Sequence, residues 1–129
     1  MRILVTGSRA WDDAATIRTA LDEVYFSSTC TMPVTVVHGD CPHGADAIVH
    51  AWAADTRRAE WVVGEERHPA DWRPGGGAFD RSAGHRRNAE MVNAGADLCL
   101  AFIRDRSSGA THTADLAERA GIPVRRWTS

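Results

Sequence analysis

Met1-Arg2-Ile3-Leu4-Val5-Thr6-Gly7-Ser8-Arg9-Ala10-Trp11 is the stretch whose reading decides the fold. Apart from Arg2 its first six residues are apolar or β-branched, so they read as a buried strand, and they run straight into Gly7-Ser8-Arg9 ahead of a helical pattern. Such a junction favours anions. Backbone N–H groups of the turn and of the helix start point outward there, and the helix dipole adds positive potential. Gly7 would let the backbone approach a ligand, and Arg9 brings a planar cationic fork suited to phosphate or carboxylate.

Working outward, the same punctuation recurs. Asp12 or Asp13 caps a helix through about Phe26, with Ile17, Leu21, Val24 and Tyr25 on one face, and a connection follows over 27–33. Val34 to Val37 is a second buried strand that ends at His38-Gly39-Asp40, and from Gly44 a stripe of Ala45, Ile48, Val49, Trp52 and Ala53 marks a helix to about Arg58. Glu60 to Val63 reads as a short third strand. Gly64 to Ser82 is irregular, holds Pro69, Pro74 and Gly75-Gly76-Gly77, and is either a lid or a crossover. A helix from Ala83 or Gly84 to Ala94 turns Ala89, Met91 and Val92 inward, and Asp97 to Ile103 has the unbroken apolarity of a central parallel strand. After a loop over 104–109, a helix from Thr111 to Ala120 buries Thr113, Leu116, Ala117 and Ala120, and Pro123 to Trp127 makes an edge strand.

Strands alternating with helices predict an α/β chain: a Rossmann-like three-layer α/β/α sandwich with a mostly parallel sheet of roughly five strands. At 129 residues and 43% hydrophobic it forms one domain, 1–129, with one site. Ligands of such sheets bind beyond the carboxyl ends of the strands.

Composition removes several chemistries. All fifteen cationic side chains are Arg, at a net charge of −2, which argues against a diffuse nucleic-acid surface and excludes a Walker A loop and Schiff-base catalysis. Gly7 to Trp11 lacks the second and third glycines of G-x-G-x-x-G, and Asp40 falls far beyond the offset of about 20 residues expected of its acid, so no dinucleotide cofactor is expected. Cys30, Cys41 and Cys99 form neither a disulfide framework nor a zinc knuckle, and Cys41, His43 and His50 match no standard ligand spacing, so no metal is expected. With no signal peptide and no membrane-length apolar run, the expected compartment is the cytoplasm.

The candidate site therefore gathers four loops. The first offers Gly7, Ser8 and Arg9. The second offers His38, Gly39, Gly44 and Asp46, the last being either a ligand-facing carboxylate or an acid that complements a helix dipole. The third is Gly84-His85-Arg86-Arg87-Asn88, where two arginines in a first helical turn oppose the dipole unless an anion is near, or unless one pairs with a lid acid such as Asp71 or Asp80. The fourth is Ser107 to Thr111, with Gly109 and Thr111 as a phosphate seat or an ordinary cap.

Gly7-Ser8-Arg9, His38-Gly39 with Gly44-Ala45-Asp46, His68-Pro69-Ala70-Asp71-Trp72, Gly84 with Arg86-Arg87-Asn88 and Met91, Gly109-Ala110-Thr111 and Ala120-Gly121-Ile122-Pro123-Val124 together resemble the small bacterial and phage YspA family, related to cpYpsA, within the SLOG superfamily. That resemblance implies binding of a nucleotide or nucleotide-derived molecule at the strand ends, in a role such as sensing or sequestering a signal between phage and host. It also implies two alternatives. One is N-glycosidic cleavage as in the LOG phosphoribohydrolases, with Asp46, Asp40 or His38 as catalytic candidates, although the P-G-G-x-G-T-x-x-E loop of those enzymes is incomplete at Ser107 to Asp115. The other is single-stranded nucleic-acid binding as in DprA-type relatives, which the absence of Lys weakens. Trp61, Trp72 and Trp127 serve either the core or a homo-oligomer interface.

Overall fold

A computed structural model describes residues 1–27 and 33–129. Cys30 and most of the connection read over 27–33 lie outside them. The described elements are β1 (Arg2–Gly7), α1 (Ala14–Ser27), β2 (Val34–His38), α2 (Ala45–Arg58), β3 (Val63–Arg67), α3 (Ala83–Asn93), β4 (Leu98–Ile103), α4 (Ser108–Arg119) and β5 (Val124–Thr128). Every strand pairing is parallel, in the order β3-β2-β1-β4-β5. This is the Rossmann-like sandwich that the alternation of strand and helix patterns predicts.

The two-residue period of the strands divides the core. Ile3, Val5, Leu98, Leu100 and Phe102 face α1 and α2, where they meet Ile17, Leu21, Val49 and Trp52. Leu4, Val37 and Cys99 face the other way, against Met91, Val92, Ala117 and Ile122. Beside them Ala101 and Ile103 meet Ala110 and Ala114, small residues that let α4 lie close to the sheet. Each large side chain so buried contributes roughly 1.5–3 kcal/mol.

Four sequence expectations need correction. The third strand is Val63–Arg67 and does not begin at Glu60. Glu60 and Trp61 instead close α2: Glu60 takes a left-handed φ of 67°, its N–H donates to Arg57 O at 3.0 Å, and Trp61 N–H donates to Thr56 O at 2.9 Å. The charged residues Glu65 and Glu66 belong to the strand because partners wait for them on β2, β1 and α2. The irregular stretch therefore starts at His68 rather than Gly64, and Pro74–Gly76 forms a single 3-10 turn within it. Finally, α4 starts at Ser108, because the consecutive left-handed residues Asp105 (φ 54°) and Arg106 (φ 53°) tighten the preceding turn and Thr111 N–H already donates to Ser107 O at 3.1 Å. At its far end Ala120 is exposed, not inward.

The chain moves from β1 outward to β2 and β3, then returns through α3 to β4 on the other side of β1. The switch in strand order lies between β1 and β4, and the loops beyond their carboxyl ends, with those of β2 and the start of α3, frame the site.

Candidate functional site

Ser8 stitches the switch point shut. Its N–H donates to Phe102 O at 2.9 Å, its hydroxyl accepts from Arg104 N–H at 2.8 Å and donates to Arg104 O at 3.2 Å, and its carbonyl accepts from Trp11 and Ala45 N–H. Arg104 completes the seam with bonds to Ala10 O at 3.0 Å and Asp12 Oδ1 at 2.5 Å, its guanidinium 5.5 Å from the centre of the Trp11 ring. Ser8 thus has no donor left for a ligand. Arg104, which no local sequence signal marks, is the staple between the first and fourth loops. The glycines here serve packing: a Cβ on Gly7 would run into Ala45 and lie 3.0 Å from Phe102 O, and Gly44, at φ 70°, sits against the Ser8–Arg9 backbone.

The open part of the edge lies toward β2 and α3. Arg87 reaches back from the first turns of α3 across Gly39, where Nη1 donates to Gly39 O at 2.5 Å and to His68 O at 3.1 Å. Its Nε donates to Oδ1 of the buried Asn88 at 2.8 Å, which orients the fork. Glycine leaves room for it there, since a Cβ at position 39 would overlap the guanidinium as placed and lie 3.1 Å from Asp46 Oδ2. Asp46, 8% exposed in the first turn of α2, accepts from Cys41 N–H at 3.2 Å. Burial raises its pKa above the usual aspartate value against the opposing pull of His38, the Cys41 amide, Arg87 and the Gly39 amide. Burial lowers the pKa of Arg87, Asp46 opposes the change, and the charge of Arg9 adds to it.

Arg9 is therefore near enough to be felt at Arg87. It is exposed and makes no hydrogen bond or ion pair among the described residues, and its guanidinium lies 5.8 Å from the centre of the Trp72 ring. Two neighbouring guanidinia, one of them without a counter-charge, form a place where an anion is stabilised.

His38 does not fit the part of an acid or base acting on a ligand. It is fully buried, its Nδ1 accepts from Asp40 N–H at 3.0 Å, and its Nε2 lies 2.7 Å from Glu65 Oε2. The amide donor fixes the tautomer: Nδ1 carries the lone pair, so Nε2 carries the proton that Glu65 accepts. His38 thereby holds Asp40 in its left-handed conformation, φ 55°, and Asp40 faces Arg67 at 3.8 Å. His50 Nδ1 lies 2.7 Å from the same Glu65 oxygen, giving His38, His50 and Glu65 the composition of a metal site. With that tautomer His38 has no lone pair to offer an ion there. Burial pushes the Glu65 pKa up, but the bonds from His38 and His50 outweigh it and hold the carboxyl below its usual range.

Arg86 turns away from Arg87 to Asp80, and its Nη1 donates to Ser82 Oγ at 2.8 Å, so it clamps the loop before α3 instead of joining the site. That bond, with those from Ser82, holds the Asp80 pKa at about 2. Gly109 and Thr111 lie inside α4, and among the described residues their hydrogen bonds go to Thr113 and Ser107, not to Arg9, Arg87 or Asp46. Of the three tryptophans singled out, Trp61 and Trp127 pack against the core, whereas Trp72 stacks on Phe79 in the loop before α3. A groove of about 470 Å³ between the starts of α1 and α2 is lined by Ala14, Pro42, Ala47 and Ile48, and its Arg18 is already paired with Asp55.

Comparison with known proteins agrees with this architecture. A model of the YspA, cpYpsA-related SLOG family matches residues 1–75, which include the Arg9 and Asp46 loops. The Gene 61 protein of Mycobacterium phage D29 is 46% identical over 124 residues, covering 95% of this chain and 93% of that protein. No solved structure matches the chain. A family match over more than half its length establishes that the chain belongs to the YspA, cpYpsA-related SLOG family.

Proposed function

We propose that the protein binds a nucleotide or nucleotide-derived small molecule at the carboxyl ends of β1 and β2. The observation that carries this reading is the exposed Arg9 guanidinium, without a hydrogen bond or ion pair among the described residues, whose charge is felt at the Arg87 fork over the buried Asp46. Arg9 and Arg87 hold the phosphate, Asn88 keeps Arg87 oriented, and Asp46 accepts from a sugar hydroxyl. Membership of the SLOG family and a phage relative support a role in sensing or sequestering a nucleotide signal between phage and host.

Calorimetric titration with AMP, ADP-ribose and cyclic nucleotides tests the reading. At least one binds the wild type, and Arg9→Ala weakens it about tenfold to a hundredfold, the loss of one charge-assisted contact of about 1.5–3 kcal/mol. Silence of the whole panel against wild type overturns it. A second reading, cleavage of the N-glycosidic bond, is favoured by one observation: a buried carboxyl at the site with a raised pKa. Free base released on long incubation, and abolished in Asp46→Asn, supports cleavage; intact nucleotide leaves binding alone.

A further inference from the structure

α3 and α4 lie on one face of the sheet, where Met91, Val92 and Ala117 share the cluster around Leu4 and Cys99. Two histidines meet across them: His85, exposed in the first turn of α3, and His112, half-buried in the second turn of α4. Their Nδ1 atoms are 3.1 Å apart, and the rings stand at 85° with centroids 4.4 Å apart. Among the described residues neither ring has another hydrogen bond or an ion pair.

Two Nδ1 atoms this close have to share one proton. Two N–H groups would point at each other, and so would two bare lone pairs, so one ring donates and the other accepts. A cation that takes both lone pairs replaces that proton and leaves each ring protonated on Nε2. The spacing suits this exchange. An ion about 2.0–2.1 Å from each of two imidazole nitrogens holds them about 2.9 Å apart at a right angle and about 3.3 Å apart at the tetrahedral angle. The observed 3.1 Å falls between the two, so a tilt of the rings converges both lone pairs on one point. Burial lowers the pKa of His112, and the charges of His85 and Arg119 add to the shift against Asp115, which favours the neutral ring that a metal requires. Asp115, one turn farther along α4, accepts from Arg126 through Oδ1 and lends charge to the place without supplying a ligand.

We infer that His85 and His112 chelate one divalent transition-metal ion of the zinc, nickel and copper class, with water in its other positions, and that the ion clasps α3 to α4. Imidazole suits these ions, whereas magnesium and calcium prefer oxygen. The cluster of His38, His50 and Glu65 has more ligating groups but is less able to use them, because His38 Nδ1 already accepts from the Asp40 amide and its Nε2 faces Glu65. The inference is independent of the nucleotide reading. No sequence spacing announces the pair, since its members lie 27 residues apart on different helices.

The test uses protein without an affinity tag, stripped by a chelator and titrated with Cu²⁺, Zn²⁺ or Mg²⁺, as wild type, His85→Ala, His112→Ala and His50→Ala. Wild type takes up one tightly held Cu²⁺ whose electron paramagnetic resonance shows nitrogen coupling. Zn²⁺ at a hundredfold excess over its Kd lowers the unfolding equilibrium constant about a hundredfold, and Mg²⁺ leaves it unchanged. His85→Ala and His112→Ala each weaken Cu²⁺ about tenfold or more and remove the stabilisation by Zn²⁺, while His50→Ala keeps both. Zn²⁺ also moves the ring ¹⁵N resonances of His85 and His112 in wild type, a readout that needs no variant to fold. Unchanged Cu²⁺ affinity in both His85→Ala and His112→Ala overturns the site. Loss of binding in His50→Ala alone overturns it too, by assigning the ion to the Glu65 cluster. Ring shifts confined to the other histidines, or no uptake of Cu²⁺ or Zn²⁺ by wild type, likewise refute it.

Discussion

Gly7 ends β1 and Gly39 follows β2, and they look alike in sequence, yet what fills the space beside each is different. At Gly7 it is backbone and the Ala45 methyl, neither of which can swing away; at Gly39 it is the far end of the Arg87 side chain. Gly7→Ala should cost about 1–3 kcal/mol, the usual range for overpacking, read as a lower urea midpoint. Gly39→Ala should keep the wild-type midpoint to within about 1 kcal/mol, because a flexible side chain yields, while displacing Arg87 and weakening nucleotide binding. An equal loss of stability in both would refute the distinction. At this scale a turn glycine was legible in the sequence; what it makes room for was not, because Arg87 lies far along the chain.

At the scale of elements, helix ends explain where sequence reading succeeded and where it slipped. Gly95 (φ 85°) and Gly121 (φ 82°) end α3 and α4 in the left-handed conformation expected of glycine. Glu60 (φ 67°) takes the same position after α2 without being glycine, so the end of that helix was hidden and the third strand was read too early. Left-handed backbone costs a residue with a Cβ roughly 1–2 kcal/mol, partly offset by the greater freedom that glycine loses on folding. Glu60→Gly should therefore raise stability by up to about 1 kcal/mol, measured by urea unfolding; a lower midpoint would mean that the Glu60 side chain has a role of its own.

For the whole molecule, the distribution of charge predicts an acid transition. Glu66, bonded to Arg2 at 2.5 Å and to His68 at 2.7 Å, has its pKa drawn from 4.5 to about 2, and Asp80 is drawn from 3.8 to about 2 by Arg86 and Ser82. Carboxyls more acidic in the folded than in the unfolded chain stabilise the fold above the unfolded value, and that stability is lost as pH falls through the folded one. Asp46 has the opposite sign, since its pKa is raised: its contribution is present at low pH and is lost as pH rises through its folded value. The urea midpoint should thus fall as pH drops from 4.5 toward 2, and Glu66→Gln should flatten that fall while lowering the midpoint at neutral pH. An unaltered pH profile in Glu66→Gln would show that the ion pair between β1 and β3 contributes nothing.

The order of strands and helices along the chain and the two covered faces of the sheet were determined by the sequence alone, because hydrophobic period and turn glycines act over a few residues. Tertiary structure alone decided which polar groups remain free. Ser8 is consumed by Arg104, His38 by Glu65 and Arg86 by Asp80, while Arg9 has no hydrogen bond or ion pair among the described residues and lies over the Trp72 ring. A donor can satisfy only as many acceptors as its geometry allows, and the competitors for Ser8 and His38 arrive from distant parts of the chain. Arg87, in contrast to Arg9, is fixed by Gly39, His68 and Asn88, with Asp46 buried nearby.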